Sequence, residues 1–456
     1  MINTKIKNAL QSFYLIPTIF FFAVLGRIFD VTQITLPIIA LAIILILIFC
    51  DDVKNVFGII FYAPFYIKDT VNHLAVVLFV IVIAVVIVAL LVYAVCKIVA
   101  LKKQKALIKG KLYVPLIIIT IAYLLGGVGF DSNLKTAIVI VAFSLATFVF
   151  YFIALNCVKN TDKFFYKLFV AGAILVSFMV LYENYINFGS IKHLFDRSYD
   201  TWVGAENVNV ASTFILLGIF GAFGLGYKTA KDGLSLVVAS IFYLFIIVTY
   251  CRMNTALGAL SILVYVVLSF KHSPNKRKFL VFSGSIFLVV IVATVISWSL
   301  LEQMLWSFSV KEGLTGREDL WPWCIEKFKQ NPLFGIGFKI DGTVPCMGAG
   351  ASNYVLAHNT LIQWVTSLGI FGTLCMLVFT VFKYKILIKD FFGNGLMLRL
   401  LIVFVALSGI TDQAPQMDPF IYNIVIVVMA LIESMAFYNK KNKEEENEKN
   451  RLEVSN

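Results

Sequence analysis

Fourteen runs of apolar residues, parted by short polar stretches, constrain this chain more than any other feature. They fall at about 12–29, 34–50, 55–68, 74–100, 112–130, 136–157, 168–188, 209–227, 234–250, 254–270, 279–301, 360–382, 396–411 and 419–438. About 20 apolar residues cross a bilayer core as one helix. Helices satisfy their own backbone polar groups in lipid, where no water can do so. The runs therefore predict an all-α, polytopic integral membrane protein of about 12–14 transmembrane helices. Hydrophobic residues make up 60% of the chain and charged ones 14%. A soluble domain sits near 45–50% and about 25%, so a soluble globule is excluded. Two runs are weak spans. The run 55–68 is short and holds Pro64, and 396–411 carries Arg399 near one end.

Parity and charge set the orientation. With the N-terminus inside and all fourteen runs crossing, 27 of the 38 Lys and Arg fall inside and 11 outside. Basic residues favour the cytoplasmic side. If 55–68 did not cross, Lys5 and Lys7 would move outside against that rule. Fourteen crossings is thus the first reading, with twelve or thirteen next to it. Both termini are expected in the cytoplasm of an inner, multi-pass membrane protein. No small-residue cleavage site follows the first run, so that run is expected to stay as an anchor. The predicted units are transmembrane helices over 1–301, a large extracytoplasmic loop over 302–359, transmembrane helices over 360–438 and a charged tail over 439–456. The net charge of +12 lies in short clusters between apolar runs. That is a topology signal, and no aromatic-interleaved basic patch points to nucleic acid.

Polar groups able to do chemistry gather at the outer ends and outer loops, while the middles of the runs are nearly free of charge. Proton- and ion-coupled transporters keep ionisable residues near the midplane, so ion coupling is disfavoured. His358 ends the large loop. Its type titrates near neutral pH and suits a general base, although a lone interfacial His often only hydrogen-bonds. Arg317 lies in Gly316-Arg317-Glu318-Asp319-Leu320-Trp321. A guanidinium fork suits a phosphate or diphosphate, and pairing with Glu318 or Asp319 is the plainer alternative. Arg252 sits at a predicted outer boundary, against the positive-inside trend. It needs either an anionic partner or a snorkelling role.

Gly369 and Gly372 follow His358 on the helix below and would allow close helix approach. The turn Gly335-Ile336-Gly337 follows no strand and is no nucleotide fingerprint. No HExxH, paired-His or GxSxG spacing occurs, so neither a metal nor another cofactor is indicated. Of seven cysteines, Cys50, Cys96, Cys157 and Cys375 lie in or beside apolar runs as packing residues. Cys324 and Cys346 share the large loop, as a disulfide or as two free thiols.

Three segments together resemble the O-antigen ligase and polysaccharide polymerase family. One is His358-Asn359, nine residues, Gly369, two residues, Gly372. Another is Gly316-Arg317 with Trp321, followed by Asn331-Pro332-Leu333-Phe334-Gly335-Ile336-Gly337. The third is Asn207-Val208-Asn209-Val210-Ala211. The resemblance covers about 206–372. It departs from the family pattern at Val208 (usually Pro), Cys251 (commonly Ser) and Ser367 (often Glu).

The resemblance implies a metal-independent, inverting glycosyl transfer on the outer face. The donor would be an undecaprenyl-diphosphate-linked oligosaccharide, and the acceptor another glycan. His358 would take a proton from the acceptor hydroxyl, and Arg252 and Arg317 would hold the diphosphate. Asn359, Asn209 and Trp321 would contact substrate, and Asp412 and Asp418, on a short predicted outer loop, would bind sugar hydroxyls. A chain-length regulator and a flippase are the protein partners it implies, within the lipid bilayer. A repeat-unit polymerase for capsule, exopolysaccharide or O-antigen is the first reading, and a ligase to a lipid or other anchor the second. A lipid-linked oligosaccharide flippase is the rival from another class. It would need a polar cavity through the membrane middle.

Overall fold

The computed structural model describes residues 2–66, 73–129, 134–158, 162–189, 202–203, 206–296, 317–337, 357, 359–389, 391–393, 395–410 and 419–455. Almost all of these are helical. Eight helices among them are long and apolar enough to cross a membrane: Thr32–Phe49, Ile81–Lys103, Ala137–Cys157, Asp162–Ile186, Val208–Gly226, Arg252–His272, Thr360–Ile388 and Phe420–Glu448. A ninth candidate is the pair Thr4–Gln11 and Leu15–Ile28, bent by 72°. Tyr113–Leu125, Asp232–Val248 and Leu396–Ser408 are shorter apolar helices. The chain is a polytopic, all-helical membrane protein, as the apolar runs predict. Its strand pairing among the described residues is a two-residue hairpin, Trp202–Val203 against Glu206–Asn207.

The side chains sort by environment. In the helix His73–Lys103, Ile81, Val85, Val88, Val92, Val95 and Val99 are all exposed. Their spacing of three and four residues makes one stripe. Such a face is stable only against lipid, since an apolar patch of that size does not sit in water.

The interior centres on Val208–Gly226, whose residues from Val210 to Phe223 are all buried. Its glycines admit the neighbouring helix Asp162–Phe188. A Cβ at Gly218 would lie 2.1 Å from the Ala173 Cβ, and one at Gly224 would lie 2.3 Å from the Tyr166 ring. Small residues at an interface let helices approach closely where lipid supplies no hydrophobic drive. Around this contact Phe57, Tyr62, Phe65, Phe165 and Phe214 form an aromatic cluster of tilted and edge-to-face rings, Phe65 and Phe214 at 4.7 Å.

The weak run 55–68 takes its own form. It breaks at Tyr62 into Lys54–Phe61 and Ala63–Tyr66, ahead of Pro64. Val56, Phe57, Ile59, Phe61 and Tyr62 are at most 1% exposed, so this piece packs inside the bundle and shows lipid almost nothing. Arg399, at the head of the other weak run, is 2% exposed within Leu396–Ser408.

Candidate functional site

The large loop is described in two pieces, and both are anchored to the helix Thr360–Ile388. The first is the helix Arg317–Gln330, which lays Leu320 and Cys324 on Ala357 and packs Trp321, Trp323 and Ile362 around them. Burial there pushes the Cys324 thiol up from its ordinary range. Cys324 carries a free thiol, and Cys346 lies outside the described residues.

The second piece is the turn Asn331–Gly337. It inserts into a break in the helix Thr360–Ile388 at Gly369, where φ is 64° and ψ is −166°. That region of backbone space is essentially open to glycine alone. Breaking a helix orphans carbonyls before the break and amides after it. The turn supplies partners for both. Ile336 and Gly337 donate their N–H groups to the carbonyls of Thr366 and Ser367, each at 2.9 Å. Ile370 and Phe371 donate to the carbonyls of Pro332 and Leu333, at 2.9 and 3.2 Å.

The approach is backbone to backbone. A Cβ at Gly369 would meet the Leu333 carbonyl oxygen at 2.4 Å, and one at Gly335 would meet the Thr366 carbonyl oxygen at 2.5 Å. Gly127 locks the outer flank of the turn, donating to the Phe334 carbonyl at 2.9 Å. Asn331 closes it, its Nδ2 donating to the carbonyls of Val128 and Gly335, each at 2.8 Å. Gly369 was expected to admit another helix. It admits a loop instead, because the left-handed break exposes polar backbone that a helix could not satisfy.

His358 itself lies outside the described residues, and its neighbours are pinned. The Ala357 carbonyl accepts from Trp321 Nε1 at 2.8 Å. The Ala357 N–H donates to Gln363 Oε1 at 2.8 Å, and Gln363 Nε2 donates onward to Ser367 Oγ at 2.7 Å. On the other side, Asn359 Oδ1 caps the helix, accepting from the N–H groups of Leu361 and Ile362 at 3.0 Å each. Its Nδ2 donates to the Ile410 carbonyl at 2.9 Å, and Thr360 Oγ1 donates to the Gly409 carbonyl at 2.6 Å. Asn359 therefore has both ends of its amide engaged by backbone. Ser367, where the resemblance leads one to expect Glu, serves the Gln363 relay.

Arg317 is the first residue of its helix, and its side chain lies outside the described residues. One helical turn separates it from Trp321, which holds Ala357. Asp412 and Asp418 also lie outside the described residues. Arg252 is exposed and opens the helix Arg252–His272 after a tight reversal in which buried Tyr250 takes φ 53°, rare for a non-glycine residue. Two places along, Asn254 is 1% exposed and ties this helix start to another. Its Nδ2 donates to Ser212 Oγ at 2.6 Å and Thr213 Oγ1 at 2.9 Å. Both hydroxyls donate to the Asn209 carbonyl. The N-termini of Val208–Gly226 and Arg252–His272 thus stand side by side with their positive dipole ends aligned. Both helices pack on Leu396–Ser408, whose far end leads to Gly409 and Ile410 beside Asn359. All these segments therefore share one end of the bundle.

A buried ion pair at that end was not picked out from the sequence. Arg27 donates to Glu183 Oε1 through Nε at 2.9 Å and through Nη2, and the two side chains are 6% and 11% exposed. The available signal was parity, which puts the ends of runs 12–29 and 168–188 on one side.

Comparison with known proteins falls on the same segments. Residues 234–377 match the family model described as O-antigen ligase. The match includes Arg252, Arg317, Trp321, His358 and Asn359, and leaves Asn209 and Asp412 outside. The exopolysaccharide production protein ExoQ of Rhizobium meliloti (strain 1021) is 27% identical over 245 residues, which cover 49% of this chain and 53% of the relative. The chain thus spans about half the length of the curated relative it matches. The chain is a membrane protein of many spans whose residues 234–377 are similar to the O-antigen ligase family.

Proposed function

We propose that this protein transfers sugar units from a polyprenyl diphosphate to an acceptor glycan on the outer face of the cytoplasmic membrane, as a repeat-unit polymerase. The observation that carries this reading is the Trp321–Ala357 hydrogen bond. It ties the residue before His358 to the turn of helix that begins at Arg317. The backbone next to the proposed base and the helix that begins at the proposed diphosphate-binding guanidinium then share one support, which favours a transfer site.

His358 takes the proton from the acceptor hydroxyl as its oxygen attacks the anomeric carbon. The bond from that carbon to the diphosphate oxygen breaks with its electron pair, and the anomeric centre inverts. Arg317 and Arg252 stabilise the charge on the departing diphosphate. A diphosphate is already a strong anion, so cations serve it better than a general acid does. The aligned helix ends at Val208 and Arg252 add partial positive charge at the same place. Trp321, Asn359 and Asn209 position these groups through backbone contacts, and Asp412 binds sugar hydroxyls. No metal is assigned a step. The name of the relative ExoQ, an exopolysaccharide production protein, favours chain growth over capping of an anchor. The undecaprenyl carrier, a flippase and a chain-length regulator are the partners this reading requires.

The test is glycan length on a gel, from a deletion strain complemented with wild type, His358→Ala or Arg317→Ala at matched expression. Long chains with wild type and single repeat units with both variants support the polymerase. Single capped units that depend on wild type point to a ligase. Long chains with all three proteins remove these residues from the chemistry.

A further inference from the structure

A second feature stands apart from the loop end. Between Thr360–Ile388, Leu396–Ser408 and the helix Pro419–Ser455 lies a cavity of about 350 Å³, walled by Trp364, Phe379, Ile402, Val405 and Tyr422. One end reaches Asn359 and Thr360, and the other reaches Lys383. Along Leu396–Ser408 it runs from Ile402 to Gly409, roughly 10 Å at 1.5 Å per residue.

The two ends differ in what they offer a ligand. At the first end, Asn359 and Thr360 already bond backbone groups at Gly409, Ile410, Leu361 and Ile362. Thr380 donates to the Met376 carbonyl. At the other end, Lys383 is 5% exposed, and no described carboxylate pairs with it. Its ammonium lies 5.1 Å from the Tyr384 ring centroid, a weak partner. A buried cation without an anion is strongly unfavourable, whereas a paired one is tolerated. The walls suit a hydrocarbon chain and the Lys383 end suits an anion.

We infer that this cavity holds one chain of an acidic glycerophospholipid whose phosphate pairs with Lys383. Position chooses the source. Lys383 lies toward the end of the bundle that also carries exposed Lys385 and Lys389, opposite the segments around Ala357. Lys383 lies two and six residues from Lys385 and Lys389 on the same helix, so the anion at Lys383 belongs to a lipid of the leaflet facing them. Basic residues at that surface add attraction for acidic lipid. The bound chain would also fill the space beneath the Asn359 cap and hold the helix Thr360–Ile388 against its neighbours.

Native mass spectrometry tests this on full-length protein taken from vesicles with equal phosphatidylethanolamine and phosphatidylglycerol. Wild type should retain phosphatidylglycerol through delipidation. Lys383→Arg should retain it, Lys383→Met should lower retention at least tenfold, and Lys389→Met should change nothing. Ala406→Phe, which fills the cavity and leaves Lys383 in place, should also expel the lipid, so the test survives if Lys383→Met fails to fold. Equal retention of the two lipids by wild type, undiminished retention in both Lys383→Met and Ala406→Phe, or polyprenyl phosphate in place of phospholipid overturns the inference. The readout is bound lipid, so it stands or falls apart from the transferase reading.

Discussion

Replacing Gly369 by alanine should unlock the loop that supports the proposed site. The backbone there holds φ 64° and ψ −166°. A non-glycine residue in that region costs about 1–3 kcal/mol. The new Cβ would also lie 2.4 Å from the Leu333 carbonyl oxygen and 2.6 Å from the Gly335 nitrogen, both backbone atoms that cannot swing aside. The turn Asn331–Gly337 must then withdraw, and four interlocking hydrogen bonds lengthen or break. Each is worth about 1 kcal/mol net. The four lost bonds alone come to roughly 4 kcal/mol of local stability. At 1.4 kcal/mol per factor of ten, that is on the order of a thousandfold faster exchange at opened amides. Hydrogen exchange of peptides covering Ile336–Gly337 and Ile370–Phe371 reads it directly, in protein held in nanodiscs. Gly284→Ala is the control, since that glycine sits in a helix with nothing within 4 Å of its would-be Cβ. It should leave exchange at these amides unchanged. Unaltered protection in Gly369→Ala would refute the interlock and with it the placement of the loop.

Other perturbations separate support from chemistry. Arg27→Ala or Glu183→Ala alone should destabilise by about 3–5 kcal/mol, because each strands a buried charge. The double change Arg27→Met with Glu183→Leu should recover much of the loss in a thermal melt, and a double variant as unstable as the worse single one would deny the pairing. Asn254→Ala removes donors to Ser212 and Thr213 and should cost about 1–3 kcal/mol. Its effect on transfer should match that of Arg252→Ala in direction and be smaller, and full activity would disconnect the two helix starts from the site. Trp321→Phe keeps the ring and loses the bond to Ala357, about 1 kcal/mol. The melt should barely move while transfer falls about tenfold, and equal transfer would show that Ala357 needs no such anchor.

Much of the helical plan is readable from the apolar runs, because lipid forces each long run into helix and leaves the chain few other choices. Thr32–Phe49, Val208–Gly226 and Arg252–His272 all lie within a few residues of their runs. The run 55–68 is different. Its shortness and Pro64 mark it as weak, but composition does not distinguish a helix facing lipid from two short pieces packed inside protein.

The break at Gly369 was hidden for another reason. The apolar run continues through it, and the partners that make it tolerable, Pro332 to Gly337, are more than thirty residues away in sequence. A local reading sees a glycine in a helix and assigns it to packing. Lys383 was hidden by its position just past an apolar run, where a lysine reads as a topology charge; only its burial marks it. Arg252 stands out in the sequence as a basic residue at a predicted outer boundary, and Trp321 by its spacing from Arg317, and both enter the proposal on that ground. What the motif residues do locally was not legible. Asn359 and the glycines act on backbone groups and Ser367 on the Gln363 side chain, and such contacts leave no signature in residue type beyond the pattern itself.

The most direct measurement is turnover by purified protein in nanodiscs given a polyprenyl-diphosphate-linked repeat unit, with products sized by mass spectrometry. Wild type should build oligomers. His358→Ala should slow them by about 10²–10⁴, and Arg252→Ala and Arg317→Ala by about 10²–10³ each, with all three variants folded as judged by the melt. Oligomers formed at the wild-type rate by folded His358→Ala and Arg317→Ala would contradict a site built on these residues.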